Sequence, residues 1–229
     1  MSLRVRLRFT KSLLRRTERL CFGLGLASMG LCAALLAQAW FFQAYENWAF
    51  EQELGGGPVS YREFVTQAVS FSTAGDEIPS APALGNVKPP SLGFNGAGGG
   101  SIVGRIEIPR IGLKTMILEG VSQRTLAVAV GHVPGTAFPG NPGNVGLAGH
   151  RDTFFRGLRG VQPGDAIVLT TLSGSYEYRV KSCEVVTPRE TRVLANSDEP
   201  SLTLVTCYPF HYLGAAPERF IVHAVRSRS

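Results

Sequence analysis

The stretch Thr203-Leu204-Val205-Thr206-Cys207-Tyr208-Pro209 is apolar and β-branched, and it ends in a cysteine followed, after one residue, by proline. Val, Leu and Thr favour the pleated backbone, and Pro209, lacking an amide hydrogen, ends ladder pairing just past the thiol. The stretch therefore predicts a strand whose last side chains stand at the rim of a sheet. Free cysteine is also among the most buried residue types, so the strand alone leaves open whether Cys207 is a nucleophile or a small core residue.

The neighbouring sequence has the same character. Residues 104–109 alternate as an edge-like strand, and residues 113–118 follow as a second. Residues 121–130 predict a short capped helix leading into Gly131-His132, followed by a Pro/Gly loop over 133–143 and a strand over 144–150. Residues 166–171 and 176–186, joined by Leu172-Ser173-Gly174-Ser175, form a predicted hairpin, and residues 218–225 close the chain as a strand. Many short strands punctuated by turn residues, with little helix, indicate an all-β barrel or sandwich.

The chain has 229 residues, enough for one sizeable domain with appendages, and a formal charge of +6. Such a charge would suit a nucleic-acid binder only if it belonged to the globular part. It does not: Arg4, Arg6, Arg8, Lys11, Arg15, Arg16 and Arg19, against Glu18 alone, account for all of it. The remainder is neutral, which removes the main support for nucleic-acid binding. Residues 20–45 carry no charge and are long enough, at about 1.5 Å per residue, to span a bilayer. Trp40, Phe41, Phe42, Tyr45 and Trp48 gather at the far end as an interfacial belt. The basic tail of residues 1–19 predicts a cytoplasmic N-terminus and an extracytoplasmic remainder, so the chain is expected to be a single-pass protein of the plasma membrane. Ala37-Gln38-Ala39 has the small-x-small look of a signal-peptide cleavage site, but the apolar run is generous for an h-region and favours an uncleaved anchor. Small-xxx-small spacings at Gly23/Ala27 and Gly30/Ala34 would permit helix packing but are common by chance in such spans.

Residues 46–100 are expected to form a stalk. A short amphipathic helix over 58–68 is possible within it, but Gly55-Gly56-Gly57 and the Pro/Gly/Ser/Ala-rich residues 72–100 lack core-building side chains. The catalytic or binding unit is then residues 101–229. Of four cysteines, Cys21 and Cys32 lie in the apolar segment, leaving Cys183 and Cys207. Their spacing matches neither a zinc site nor a disulfide framework, although a bridge between the two is arithmetically open. No acid cluster resembles a calcium loop, so no metal or other cofactor is expected.

A thiol with an ordinary pKa near ~8.5 needs help to attack at neutral pH, commonly a histidine and a cation. His150 ends a strand, between Gly149 and Arg151-Asp152-Thr153, and so belongs at a rim as Cys207 does. His132 precedes the Pro/Gly loop, His211 lies four residues past Cys207, and His223 is inside the last strand. Arg219 opens that strand; its permanent charge would suit a substrate carbonyl or oxyanion, or else a surface ion pair with Glu218 or another acid.

Thr203-Leu204-Val205-Thr206-Cys207, with Leu147-Ala148-Gly149-His150-Arg151 about sixty residues earlier and Glu218-Arg219-Phe220-Ile221-Val222 just after, resembles the sortase family. The resemblance covers about residues 102–226. It is strongest toward class D and E-like sortases, through Gly131-His132, Pro134-Gly135-Thr136, residues 149–155 and Cys207-Tyr208-Pro209-Phe210. Tyr208 stands where some other classes carry an acid. The resemblance implies an eight-stranded β-barrel and a cysteine transpeptidase. Cys207 would attack the carbonyl of a sorting-signal threonine in a secreted protein, giving a thioacyl-enzyme. His150 would act as acid and then base, and Arg219 would steady the carbonyl and oxyanion. A thiolate paired with an imidazolium, held by part of the enzyme population, would be the active form. The acyl group would pass to an amine of a cell-wall or pilin acceptor, with water as competitor. A purely hydrolytic thiol peptidase and a non-catalytic envelope-binding domain on a stalk are the alternatives. Asp152 would either orient the site or cap a turn. Residues 133–143 and 208–217 are the expected groove walls.

Overall fold

The computed structural model describes residues 3–57, 59, 64, 100–212 and 214–227, without the side chains of residues 3–14 and 35. The chain divides into two compact units, residues 1–41 and residues 42–229. The first is helical throughout its described length, as part of α1 (Leu3–Leu54). α1 contains a segment of mean hydropathy 2.1, long and apolar enough to cross a membrane. Its large apolar side chains Leu20, Phe22, Leu24, Leu26, Met29, Leu31, Leu36 and Trp40 are all exposed, as lipid-facing residues would be.

The second unit contains a closed barrel of eight strands in the order β1-β2-β3-β4-β7-β8-β6-β5. They are β1 (Ile102–Ile108), β2 (Leu113–Glu119), β3 (Val130–His132), β4 (Asn144–Ala148), β5 (Ala166–Thr171), β6 (Gly174–Val186), β7 (Ser201–Tyr208) and β8 (Glu218–Arg226). The barrel reading is thus the correct one of the two that strand spacing allowed. β1, expected as an edge, has no free edge: it pairs with β2 on one side and β5 on the other and so closes the barrel. β3, three residues long, had no separate signal in the sequence. The helix α2 (Gln123–Val128) before it is capped by Ser122, whose hydroxyl accepts from the Thr125 amide.

Period-two alternation sorts the strands into two faces. Val145, Leu147, Leu202, Leu204, Val222 and Ala224 point inward with Ile106, Ile108, Ile167 and Leu169 into one core. The opposite faces of β7 and β8 carry Val205 and Ile221, which pack outside the barrel against Val186, Val193 and Leu194. The 3-10 turn Thr191–Leu194 supplying Val193 and Leu194 is tied down by Asn144, whose amide donates to the Val193 and Ala195 carbonyls.

Composition places the start of a stalk at residue 46, but the helix continues through Leu54. The physical reason is local: residues 46–54 contain helix formers and no Gly or Pro until Gly55. Residues 42–54 also have a partner. Phe42 joins Leu118, Val128 and Ala129 in a small apolar cluster. The Gln43 amide accepts from the Met116 amide and the Thr115 hydroxyl and donates to the Val128 carbonyl. Arg105, almost fully buried, donates to Asn47, pairs with Glu51 and Glu107, and lies over the Phe50 ring. The expected helix over 58–68 and the rest of the stalk to residue 99 lie outside the described residues, apart from 59 and 64.

Asp165 shows how loops are held at the barrel's other end. Its carboxylate accepts from the Arg110 guanidinium and the Gln162 amide. The Arg110 hydrogen bond, foremost, holds the Asp165 carboxyl below the usual carboxylate range. A depressed folded-state pKa gives stability that is present above the ordinary Asp value, about 3.9, and lost as pH falls through the folded value. Asp165→Asn is expected to lower the urea midpoint at pH 7 and to flatten its decline below about pH 4. An acid limb as steep as that of the unchanged protein would contradict this assignment.

Candidate active site

β7 lies between β4 and β8, parallel to the first and antiparallel to the second. Cys207 is directly opposite Arg219 in the β7/β8 ladder. On the other side, Leu147 pairs with Leu204 and Ala148 with Val205, and the Gly149 amide continues the ladder to the Val205 carbonyl at 3.1 Å. The Thr206 hydroxyl closes the same junction by donating to the Gly149 carbonyl at 2.8 Å. His150 is the next residue, two past the end of β4 and one past this last ladder hydrogen bond. Cys207 and Arg219 are thus ladder partners, His150 follows the strand on the other side of β7, and all three are partly exposed.

The alternation also fixes the face. Cys207 follows Thr203 and Val205, and Arg219 precedes Ile221 and His223, all on the outside of the barrel. On β4 the same outer face carries Gly146 and Ala148, and His150 follows two residues beyond the strand end. The floor of this outer face is shallow at Gly146, where a Cβ would meet Leu194 Cδ2 and Thr136 Cγ2, both at 2.9 Å. Thr136 belongs to the Pro/Gly loop expected as a wall. Leu194 belongs to the turn Thr191–Leu194, whose cover over this face sequence reading missed because one turn of 3-10 helix carries no periodic signal.

The other histidines are held elsewhere. His132 is buried, with Nδ1 2.6 Å from Glu119 Oε2, Nε2 2.9 Å from the Ala137 carbonyl, and its ring stacked on Phe138. His223 bonds Glu184 at 2.9 Å and approaches the Thr203 hydroxyl at 3.4 Å. That pairing, with Arg192 second, holds the Glu184 carboxyl below its usual range. His211 is exposed in the loop after β7, four residues past Cys207. Arg219 makes no ion pair among the described residues; its guanidinium donates to the Ala216 and Glu218 carbonyls at 3.2 and 2.8 Å. Cys183 and Cys207 are both free thiols. Burial, with the Asp165 charge second, pushes the Cys183 thiol up, away from thiolate chemistry. Among the described residues no three His, Cys, Asp or Glu side chains converge as metal ligands.

Arg151 was not singled out from the sequence as a site residue. It is almost fully buried and donates to three carbonyls of the loop after β7: Pro209 at 2.8 Å, Tyr212 at 2.6 Å and Gly214 at 3.2 Å. The loop following Cys207 is thus fastened to the residue following His150. Asp152 is largely exposed, its carboxylate 3.5 Å from Arg151 Nε, which fits neither orientation of His150 nor capping of the turn.

A family profile described as the sortase domain matches residues 106–227. A free thiol and an arginine face each other on adjacent strands of an eight-stranded closed barrel, with a histidine just past the end of the neighbouring strand. The chain belongs to the sortase family. It is similar to Sortase D of Bacillus subtilis (strain 168), with 34% identity over 128 residues, 56% of this chain and 65% of that protein. It is also similar to Sortase A of Bacillus anthracis, with 30% identity over 110 residues, 46% of this chain and 52% of the relative. The matched part thus spans less than two thirds of either relative. Among solved structures, a Clostridium perfringens Sortase D5 transpeptidase superposes with TM-score 0.51 and 35% identity over 56% of this chain and 79% of that one. Sortase C-1 of Actinomyces oris gives TM-score 0.53 and 32% identity, covering 56% and 75%.

If Arg151 holds the loop, Arg151→Lys, which keeps the charge but loses the planar fork, should leave carbonyls of that loop unpaired. Amide hydrogen exchange over residues 210–214 is expected to accelerate by about tenfold or more, with β1 and β2 unaffected. Unchanged exchange in that loop would show that the three bonds do not hold it.

Proposed function

We propose that this chain is a membrane-anchored sortase that cleaves a C-terminal sorting signal and transfers the acyl group to an amine. The observation that supports this reading best is the β7/β8 register that sets Cys207 opposite Arg219, with His150 two residues past the end of β4 on the other side of β7. In the proposed reaction, the Cys207 thiolate adds to the scissile carbonyl, and the resulting oxyanion is met by the Arg219 guanidinium. Two of that guanidinium's hydrogen bonds already go to backbone carbonyls, which limits its rotation and leaves the remaining N–H groups for substrate. The carbon–nitrogen bond breaks as the His150 imidazolium gives its proton to the departing amine, leaving a thioacyl-enzyme. An acceptor amine then adds to the thioester, His150 takes its proton, and the sulfur leaves as thiolate. Water in place of the amine gives hydrolysis.

The substrates in this proposal are secreted proteins bearing the sorting signal, and the acceptor is a cell-wall or pilin amine. The basic segment before the apolar part of α1 supports a cytoplasmic N-terminus and an extracytoplasmic barrel at the plasma membrane. The proposed domain plan keeps the tail at 1–19, the anchor at 20–45 and the catalytic unit at 101–229, with a spacer between whose first residues, to Leu54, are helical.

Hydroxylamine added with a library of sorting peptides tests the reaction. Hydroxamate products are expected, together with a peptide adduct on Cys207 detectable by mass spectrometry; free carboxylic acid alone would indicate a hydrolase. Cys207→Ala should abolish the adduct. His150→Ala should lower turnover by about 10²–10⁴-fold, and His211→Ala by less than a tenth of that factor. The reverse ranking of the two histidines would overturn the acid/base assignment.

A further inference from the structure

Beside the rim is a concavity of about 190 Å³, lined by Arg151, Asp152, Arg156, Arg159, Phe210 and His211. Its position follows from how the chain leaves His150. The His150 carbonyl accepts from the Phe155 amide at 3.1 Å, starting the 3-10 segment Phe154–Gly160. The Phe155 ring packs onto Gly149 so closely that a Cβ there would lie 2.8 Å from it. Phe155 and Leu158 are fully buried. The backbone kinks at Phe155; in the 3-10 turns after it residues three apart eclipse, so with Leu158 inward, 156 and 159 share the outward face. Arg156 and Arg159 are both exposed, and among the described residues neither guanidinium has a hydrogen bond or ion pair. Three arginines against the single acid Asp152 are thus concentrated here, on a chain that is neutral outside residues 1–19. Two of the three have all their donors open.

We infer that this concavity is a subsite for a carboxylate carried by the amine acceptor, with Arg156 and Arg159 as its specificity-determining residues. The inference rests on the transpeptidase reading and extends it to the second substrate. The acceptor amine must surrender a proton to His150 and therefore approaches on His150's flank, where the basic cavity lies. A plain ammonium group would be repelled there. An acceptor with a carboxylate a few bonds from its amine is drawn in by bidentate Arg–carboxylate bonds. The same cations favour the neutral amine over ammonium, and the neutral amine is the form that attacks a thioester. Phe210 gives the cavity an apolar wall for the methylenes between the two groups.

The test uses the full chain in detergent micelles and two acceptors with the same ε-amine, Nα-acetyl-lysine and Nα-acetyl-lysinamide. The acceptor KM is expected to be about tenfold lower for the free carboxylate, and the advantage should shrink as salt is raised toward about 0.5 M. In the R156Q/R159Q variant the KM ratio should fall close to one, and in R156K/R159K it should partly return. A ratio at or below one in the unchanged protein, or one unaltered by R156Q/R159Q, overturns the inference. Binding is followed separately through the side-chain Nε–H resonances of Arg156 and Arg159. They should shift on titration with Nα-acetyl-lysine and not with the amide, whether or not an acyl-enzyme forms. Absence of an acyl-enzyme would remove the transpeptidase reading alone; absence of the carboxylate-dependent shifts would remove the subsite.

Discussion

The parallel pairing of β4 with β7 is the constraint on which the rest depends. It is made of ladder hydrogen bonds from Asn144/Ser201 to Ala148/Val205, extended by the Gly149 amide and locked by the Thr206 hydroxyl. Parallel neighbours cannot be joined by a tight turn, so the chain must travel through β5 and β6 before returning as β7. That excursion places β6 beside β8 and closes the sheet through β5 and β1. A slip of one residue in the pairing would turn Cys207 inward and Leu204 outward. Leu202 and Leu204, buried in the core, hold the register against such a slip.

The two faces of the site strands divide the labour. Inward residues supply the apolar burial that makes the strands rigid; outward residues meet solvent, the turn Thr191–Leu194 and the rim. Thr203 illustrates the division. It is buried on the outer face, where its hydroxyl donates toward Asn144 Oδ1 and the Val193 carbonyl. The signature threonines are therefore tied to structure on either side of Cys207: Thr203 to the covering turn, Thr206 to the strand carrying His150. His132 and His223 serve in the same way, each bridging a carboxylate to a neighbouring segment. Both rings are already committed to partners other than the thiol.

How much of this was legible in the sequence depended on range. Alternation and turn residues located seven strands within a few positions, because they act between near neighbours. β3 escaped because Val130-Gly131-His132 is too short to alternate, and its pairing with β2 and β4 is made at a distance. The edge character given to β1 failed for a related reason: closure through β5 is a property of the whole sheet. Arg151 escaped because its three acceptors lie about sixty residues downstream, in a loop of no recognisable pattern. The helical continuation to Leu54 was written in Ala, Glu and Gln, yet its docking on the barrel required Arg105 and Met116 to be in place. Cys207, His150 and Arg219 stood out through their order and local signature; that Cys207 and Arg219 are ladder partners is visible only in the strand register.

Charge around the rim follows the chemistry proposed there. Attack on a carbonyl creates an oxyanion, and the return step consumes a neutral amine, so cations favour both halves of the reaction. Arg219 lies on the β8 side of Cys207, and Arg151, Arg156 and Arg159 follow His150 in the chain and share one concavity. A carboxylate packed against His150 would instead stabilise the imidazolium and hinder its return to the base form. Asp152, the acid next to His150 in sequence, is 74% exposed at its side chain and faces Arg151. The buried Arg151 therefore has two effects: it fastens the loop after the nucleophile, and it draws the Asp152 carboxylate toward itself. Substituting it would disturb both geometry and field, whereas Arg156 and Arg159, which line the same concavity without a hydrogen bond or ion pair, among the described residues, to the loop or to Asp152, isolate the contribution of the field.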